Sequence, residues 1–229
     1  MPDYTRFEEQ TGFQFKNRSL LVTAFTHRSY LNENKAVGEH NERLEFLGDA
    51  VLELCVTDFL YRNYRKANEG QMTSYRAALV NAVTLGELAS ELHMNDFLLL
   101  SYGESKDMGR ARQVILANTF EAVVGALYLD SGYEAAEQFV SKFLFPRMDH
   151  VLEQGKWIDA KSLFQERAQE KAGVTPSYTT VREQGPDHNK IFTIMVCLGS
   201  ESVAEGSGTS KQEAEQDAAR EALKKKGWM

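Results

Sequence analysis

Glu42, Glu45 and Asp49 lie in the apolar stretch NERLEFLGDAVLEL, and on a 3.6-residue period these three positions share one helical stripe. Like charges three and four residues apart repel one another. Leu44, Leu47, Val51 and Leu52 surround them, giving a low-dielectric setting in which unpaired charge is costly. Such a cluster calls for positive charge, either Lys or Arg partners or a divalent cation with hard oxygen ligands. Arg43 alone cannot neutralise three carboxylates, so a metal site is the sharper reading. Glu45 and Asp49 are the hardest to account for as solvated surface, whereas Glu42 is open to pairing with Arg43 or another basic side chain. A second acidic element, ILANTFEAVVGALYLD, sets Asn118 and Glu121 three residues apart with Ala122 and Gly125 on the same face. Small residues there would let another helix approach and bring Glu121 towards the first cluster. A purely packing role accounts for this second element equally well. Glu69, beside Gly70 in ANEGQMTSYR, reads singly as a solvated loop carboxylate.

The second half of the chain carries a different set. Gln165, Glu166 and Gln169 mark one helix with hydrogen-bonding groups, and His188 sits at the tip of the turn GPDHN. Lys211 opens the last helix, where backbone N–H groups and the helix dipole favour a phosphate. Taken singly, each has a plain account as exposed helix, hairpin tip or capping lysine. Their occurrence together, in this order, points to one polar recognition face.

The elements that must position these residues differ between the halves. From Asn17 to about Leu144, RSLLVTAFTHRSYL, NERLEFLGDAVLELCVTDFLYRNY, QMTSYRAALVNAVTLGELASEL and ARQVILANTFEAVVGALYLDSG carry apolar residues at helical spacing. Gly70, Gly103, Gly109 and Gly132 stand at breaks, and Thr73 or Ser74 is the expected cap of the helix entering RAALVNAV. An all-α domain over residues 1–150 is expected. HVLEQGKWI turns polar, which suggests a linker over 151–158. Residues 159–228 then read as helix, three strands (PSYTTVREQG, KIFTIMVCLG, SVAEGSG) and a closing helix, KQEAEQDAAREALKKK. That order describes a small α+β module with both helices on one face of its sheet.

Composition narrows the partners. Residues 155–229 hold 11 Lys+Arg against 11 Asp+Glu, so the whole net charge of −7 lies in the first 154 residues. An acidic front half would need metal ions or local basic patches to accept a polyanion. No apolar run approaches the roughly 20 residues that span a bilayer, and the N-terminus lacks a secretory layout. No membrane partner is expected. Cys55 and Cys197, far apart in apolar segments, read as core residues of a reduced protein. A cytoplasmic location follows.

These segments resemble one family. NERLEFLGDAVL is close to the signature of ribonuclease III, ILANTFEAVVGALYLD resembles its second acidic segment, and HRSYLNE and EGQMTSYRAALVN resemble further segments. The back half resembles the double-stranded-RNA-binding domain through GPDHNKIF and GSGTSKQEAEQDAAREAL. The resemblance covers almost the whole chain in the family's domain order. It implies a homodimeric, Mg²⁺-dependent endoribonuclease, with Mn²⁺ able to substitute. Such an enzyme cuts both strands of double-stranded RNA to leave 5′-phosphate and 3′-hydroxyl ends, in rRNA or mRNA processing or decay. Carried over by position, it implies Glu45, Asp49, Asn118 and Glu121 as metal ligands, with Asp49 and Glu121 catalytic. Glu42 and Glu69 become accessory acids of the cleft, and Phe46 a dimer contact. Ser162, Gln165, Glu166, Gln169, His188 and Lys211 become RNA contacts. One departure stands out: the family usually has Asp where this chain has Asn118. An amide oxygen ligates a hard cation but brings no charge, so weaker metal affinity is expected. The alternative is a catalytically impaired chain that binds duplex RNA without cutting it. A helical metal-storage protein would leave the back-half module unexplained.

Overall fold

The computed structural model describes residues 2–34, 38–107, 109–154, 159–186 and 190–228. The chain divides into two units, Met1–Trp157 and Ile158–Met229, each with its own hydrophobic core. As expected, the first is helical and the second is a three-stranded sheet with two helices.

The first unit runs α1 (Tyr4–Thr11), α2 (Arg18–Ala24), α3 (Arg28–Glu33), α4 (Glu42–Asn63), α5 (Glu69–Leu79) and α6 (Ala82–Glu91). It continues through α7 (Tyr102–Lys106), α8 (Arg110–Ser131), α9 (Tyr133–Phe143) and α10 (Met148–Gln154), with 3₁₀ turns at Met94–Phe97 and Phe145–Arg147. The centre is α8, which α2, α4, α6 and α9 surround. A helix enclosed in this way is apolar all round, and Ile115, Leu116, Phe120, Val123, Val124 and Leu127 are all buried. This corrects the expectation that no apolar run reaches membrane-spanning length. By length and composition α8 does, with a mean hydropathy of 1.3 over a window that is 61% buried within the fold. Asn118, Thr119 and Glu121 interrupt the run in sequence without changing which surface the neighbouring helices cover.

Four boundaries differ from the sequence reading. The run RSLLVTAFTHRSYL breaks into α2 and α3 because the backbone between them pairs with another segment. Leu99 N–H donates to the Phe25 carbonyl at 2.8 Å and His27 N–H to the Leu99 carbonyl at 3.0 Å. QMTSYRAALVNAVTLGELASEL splits likewise, because the Asn81 side chain accepts from the backbone N–H of Val83 and Thr84 and starts α6. The start of α5 is set by Asn68 in a reciprocal capping box with Gln71, rather than by Thr73 or Ser74. Finally, α10 occupies the first part of the expected 151–158 linker, since Met148, Val151 and Leu152 repeat at helical spacing and meet the first core. Residues 155–158 lie outside the described residues.

The second unit comprises α11 (Ala160–Ala172), β1 (Pro176–Gln184), β2 (Ile191–Leu198), β3 (Glu201–Gly208) and α12 (Lys211–Lys226). The sheet is antiparallel in the order β1-β2-β3. Ile194, Val196 and Leu198 alternate inward on β2, and Phe164 of α11 with Ala218, Ala222 and Leu223 of α12 completes that core. Helix α12 crosses β3 almost on its backbone: a Cβ built at Gly206 would stand 2.6 Å from the Ala218 Cα. Opposite Gly206 lies Ile194, and opposite Gly208 lies Phe192.

Candidate functional site

Asn41 fixes where α4 begins. It is buried, its N–H donates to the Thr26 carbonyl at 2.9 Å, and its carbonyl accepts from Glu45 N–H at 2.8 Å. Its side-chain amide donates to the Ala24 carbonyl at 3.3 Å. The first turns of α4 therefore leave the α2–α3 junction in a fixed direction, with Glu45 and Asp49 turned towards α8. At Gly48 the two helices meet backbone to backbone. A Cβ there would fall 2.6 Å from the Glu121 carbonyl carbon, closer still to its oxygen, and 2.9 Å from the Gly125 nitrogen. From the other side, a Cβ at Gly125 would strike the Leu44 carbonyl and stand 3.0 Å from the Gly48 nitrogen. The small face expected around Gly125 is thus a real crossing point. The matching residue on α4, Gly48, was not anticipated, although it lies between Glu45 and Asp49 in the same apolar run.

The crossing crowds the acids. The Glu121 carboxyl is pushed up to about 8, first by burial and then by the charges of Asp49 and Glu45. Glu45 is also raised, by burial and then by Glu42, with a side-chain hydrogen bond from Asn118 opposing and Asp49 adding. Two helices therefore bring Glu45, Asp49, Asn118 and Glu121 into mutual electrostatic range. Among the described residues, no group of three or more His, Cys, Asp or Glu side chains forms a ready-made ion site. Mutual repulsion opposes closer approach of the acids, and the fourth group is an amide. The donor chemistry nonetheless fits a hard divalent cation, because three carboxylates and an amide oxygen include no soft ligand. Added positive charge would also relieve the strain that raises Glu121.

The accessory positions fare differently. Both oxygens of the Glu42 carboxylate face positive or titratable neighbours: Arg28 Nη1 at 3.3 Å and His40 Nδ1 at 3.9 Å. Arg43, the partner nearest in sequence, is not the one used. Glu69 is exposed at the first turn of α5, with no hydrogen bond to the other acids among the described residues. Phe46, which alone would pass as a core aromatic, is 82% exposed. Leu54 and Tyr61 repeat after it at near-helical intervals and are exposed as well. Three large apolar side chains thus lie exposed along one side of α4, a surface of the kind a protein partner can cover.

In the second unit, Ser162, Gln165, Glu166 and Gln169 are all exposed on α11 and recur at helical spacing. The Ser162 hydroxyl donates to its capping residue Asp159 at 2.6 Å. Lys211, at the first position of α12, is exposed and lies 3.3 Å from Glu183 Oε1. That acidic neighbour was not foreseen. His188 lies outside the described residues.

Comparison with known proteins follows the same division. A family model described as Ribonuclease-III-like matches residues 17–148, and one described as Double-stranded RNA binding motif matches residues 160–226. A protein named Ribonuclease 3 from Anoxybacillus flavithermus is 46% identical over 228 residues, covering 97% of this chain and 93% of that one. Ribonuclease 3 of Protochlamydia amoebophila is 43% identical over 218 residues, covering 94% and 89%. Among solved structures, a nuclease domain of ribonuclease III from Campylobacter jejuni superposes with a TM-score of 0.58 at 36% identity. It covers 63% of this chain and 99% of that domain, and it is described as flexible in a region involved in dimer formation.

Proposed function

This chain belongs to the ribonuclease III family and is an endoribonuclease, and on that premise we propose how it works. It hydrolyses both strands of double-stranded RNA as a Mg²⁺-dependent homodimer in the cytoplasm, in RNA maturation or decay. The observation that carries this reading is the α4–α8 crossing at Gly48 and Gly125, beside which Glu45, Asp49, Asn118 and Glu121 interact.

In the reaction, a water oxygen forms a bond to phosphorus, the bond from phosphorus to the 3′ oxygen breaks, and that oxygen takes up a proton. The products are a 5′-phosphate and a 3′-hydroxyl. Glu45, Asp49, Asn118 and Glu121 would hold Mg²⁺, with Mn²⁺ as a substitute. Held there, such an ion would supply positive charge against the negative charge building on the phosphate and would ease deprotonation of the attacking water. The chain's own residues set the stage. The crossing fixes the separation of the ligands on α4 from those on α8. Buried neighbours Leu44, Val51, Leu52 and Phe120 keep the dielectric low, which strengthens each electrostatic contact. Asn118 favours the charged form of Glu45, and its amide oxygen would be the end able to ligate. Phe46 and the apolar strip of α4 would meet a second copy of the chain. In the second unit, the exposed face of α11 and Lys211 would meet the minor groove and phosphates of an A-form duplex. There recognition rests on shape and 2′-hydroxyls rather than base sequence.

A second reading, duplex binding without cleavage, rests on Asn118 alone. Incubating a perfect RNA duplex with the protein in Mg²⁺, with EDTA as control and Glu121→Ala alongside, separates the two. Discrete shorter duplexes that vanish in EDTA and with the variant support the nuclease. An intact but shifted band with the unaltered chain supports the binder.

A further inference from the structure

Strand β1 carries a bulge. Its register passes from Thr180 opposite Ile194 to Arg182 opposite Thr193, leaving Val181 without a partner. Residues directly opposite one another share a face of an antiparallel sheet, and the face alternates along each strand. Were the register before the bulge to continue unbroken, Arg182 would stand opposite Phe192, on the side of the sheet that carries α12. With the bulge, Glu183 takes that place. A bulge thereby exchanges a guanidinium for a carboxylate at one point of the surface, the kind of re-aiming bulges perform.

That carboxylate is engaged. Lys211 Nζ lies 3.3 Å from Glu183 Oε1 and 5.7 Å from the centroid of the Phe192 ring. The other oxygen of Glu183 faces Lys190 Nζ at 3.9 Å. Lys211 is followed by Gln212, Glu213 and Ala214, and Glu213 accepts from Thr209 N–H at 2.9 Å. The first turn of α12 therefore offers one ammonium group, and an acid already holds it.

We propose that Glu183 is a built-in competitor for the RNA phosphate at Lys211, which makes the module bind duplex RNA less tightly than its basic side chains would allow. The proposal rests on reading Lys211 as a phosphate contact. A phosphate oxygen must displace the Glu183 carboxylate to reach Lys211, and the displaced carboxylate then faces the backbone it has yielded to. Exposed ion pairs are weak, so displacement is easy. The acid therefore tunes affinity and speeds release without blocking the site.

The test uses the full chain in EDTA, which prevents cutting, and a fluorescent perfect RNA duplex titrated by anisotropy at several salt concentrations. Glu183→Gln should lower Kd by about two- to fivefold at low salt, the scale of an exposed ion pair, and the gain should fade as salt screens the pair. Lys211→Ala should weaken binding, and in that background Glu183→Gln should gain markedly less. Glu205→Gln, the same change of charge at an exposed β3 position, should shift Kd by less than about twofold. The proposal is overturned by unchanged or weaker binding of Glu183→Gln. A gain that persists undiminished without Lys211, or one that Glu205→Gln matches, overturns it equally. Unaltered affinity of Lys211→Ala would instead remove Lys211 from the phosphate contacts, and with it the reading beneath the proposal.

Discussion

Replacing Gly48 with Ala tests whether the α4–α8 crossing sets the active site. The added Cβ would lie 2.6 Å from the Glu121 carbonyl carbon and 2.9 Å from the Gly125 nitrogen, below the 3.0 Å that real Cβ atoms respect. The obstructing atoms are backbone, so no side chain can swing aside and the helices must part. Overpacking of this type costs about 1–3 kcal/mol, occasionally more. Ala gains roughly 1 kcal/mol over Gly as a helix former, which offsets only part of that cost. The net loss should lower Tm by several degrees, at about 2–4 °C per kcal/mol for a chain of this size. The larger effect should be on chemistry. Parting the helices moves Glu45 and Asp49 away from Glu121, and a misplacement of about 1 Å can cost on the order of 100-fold in rate. Gly70→Ala is the control, since its Cβ would meet only the Asn68 side-chain oxygen at 3.5 Å inside the same kind of helix. Its Tm should hold or rise slightly. Calorimetry and single-turnover cleavage of a perfect RNA duplex measure both quantities. If Gly48→Ala melts and cuts like the unaltered chain, the backbone contact does not position the ligands.

Three further outcomes follow from the same site. In EDTA, folded Glu121 holds its proton up to about pH 8, while the unfolded chain releases it near 4.5. The folded state therefore binds more protons between those values, and its stability falls as pH rises through that window. Glu121→Gln should remove this part of the slope, so that its Tm gains on the unaltered chain from pH 5 to pH 8; parallel curves would contradict the burial and repulsion described. Asn118→Asp should lower the Mg²⁺ concentration giving half-maximal cleavage by about tenfold, through an added ligand charge, and an unshifted Mg²⁺ titration would count against Asn118 as a ligand. Phe46→Ala should move the sedimentation profile from dimer towards monomer; an undisturbed dimer would place the self-contact elsewhere.

Much of the site was legible in sequence because its costs are local. Glu45 and Asp49 stand out as charges in an apolar helix, whereas Glu121, with Gly125 on its face, fits a packing role equally well until the α4–α8 crossing is seen. What could not be read was where these elements meet other parts of the chain. Gly48 gains its meaning only from the Glu121 backbone across the crossing. Arg28, rather than Arg43, reaches Glu42 because α3 folds back beside the start of α4. The break between α2 and α3 depends on Leu99, more than seventy residues away. Glu183 faces Lys211 only because a bulge shifts its strand by one residue, and alternation of polar and apolar residues does not reveal that slip.

Helix α8 is at once the most enclosed element of the first unit and the bearer of Asn118 and Glu121. A cation gripping it together with α4 would tie the two longest helices of that unit side by side. Ligand binding to the native state alone raises stability in proportion to the logarithm of ligand excess over its dissociation constant. Magnesium supply would then govern how long the fold survives heat, as well as how fast it cuts. Chelation should make the nuclease unit more open to proteolysis even when no RNA is present.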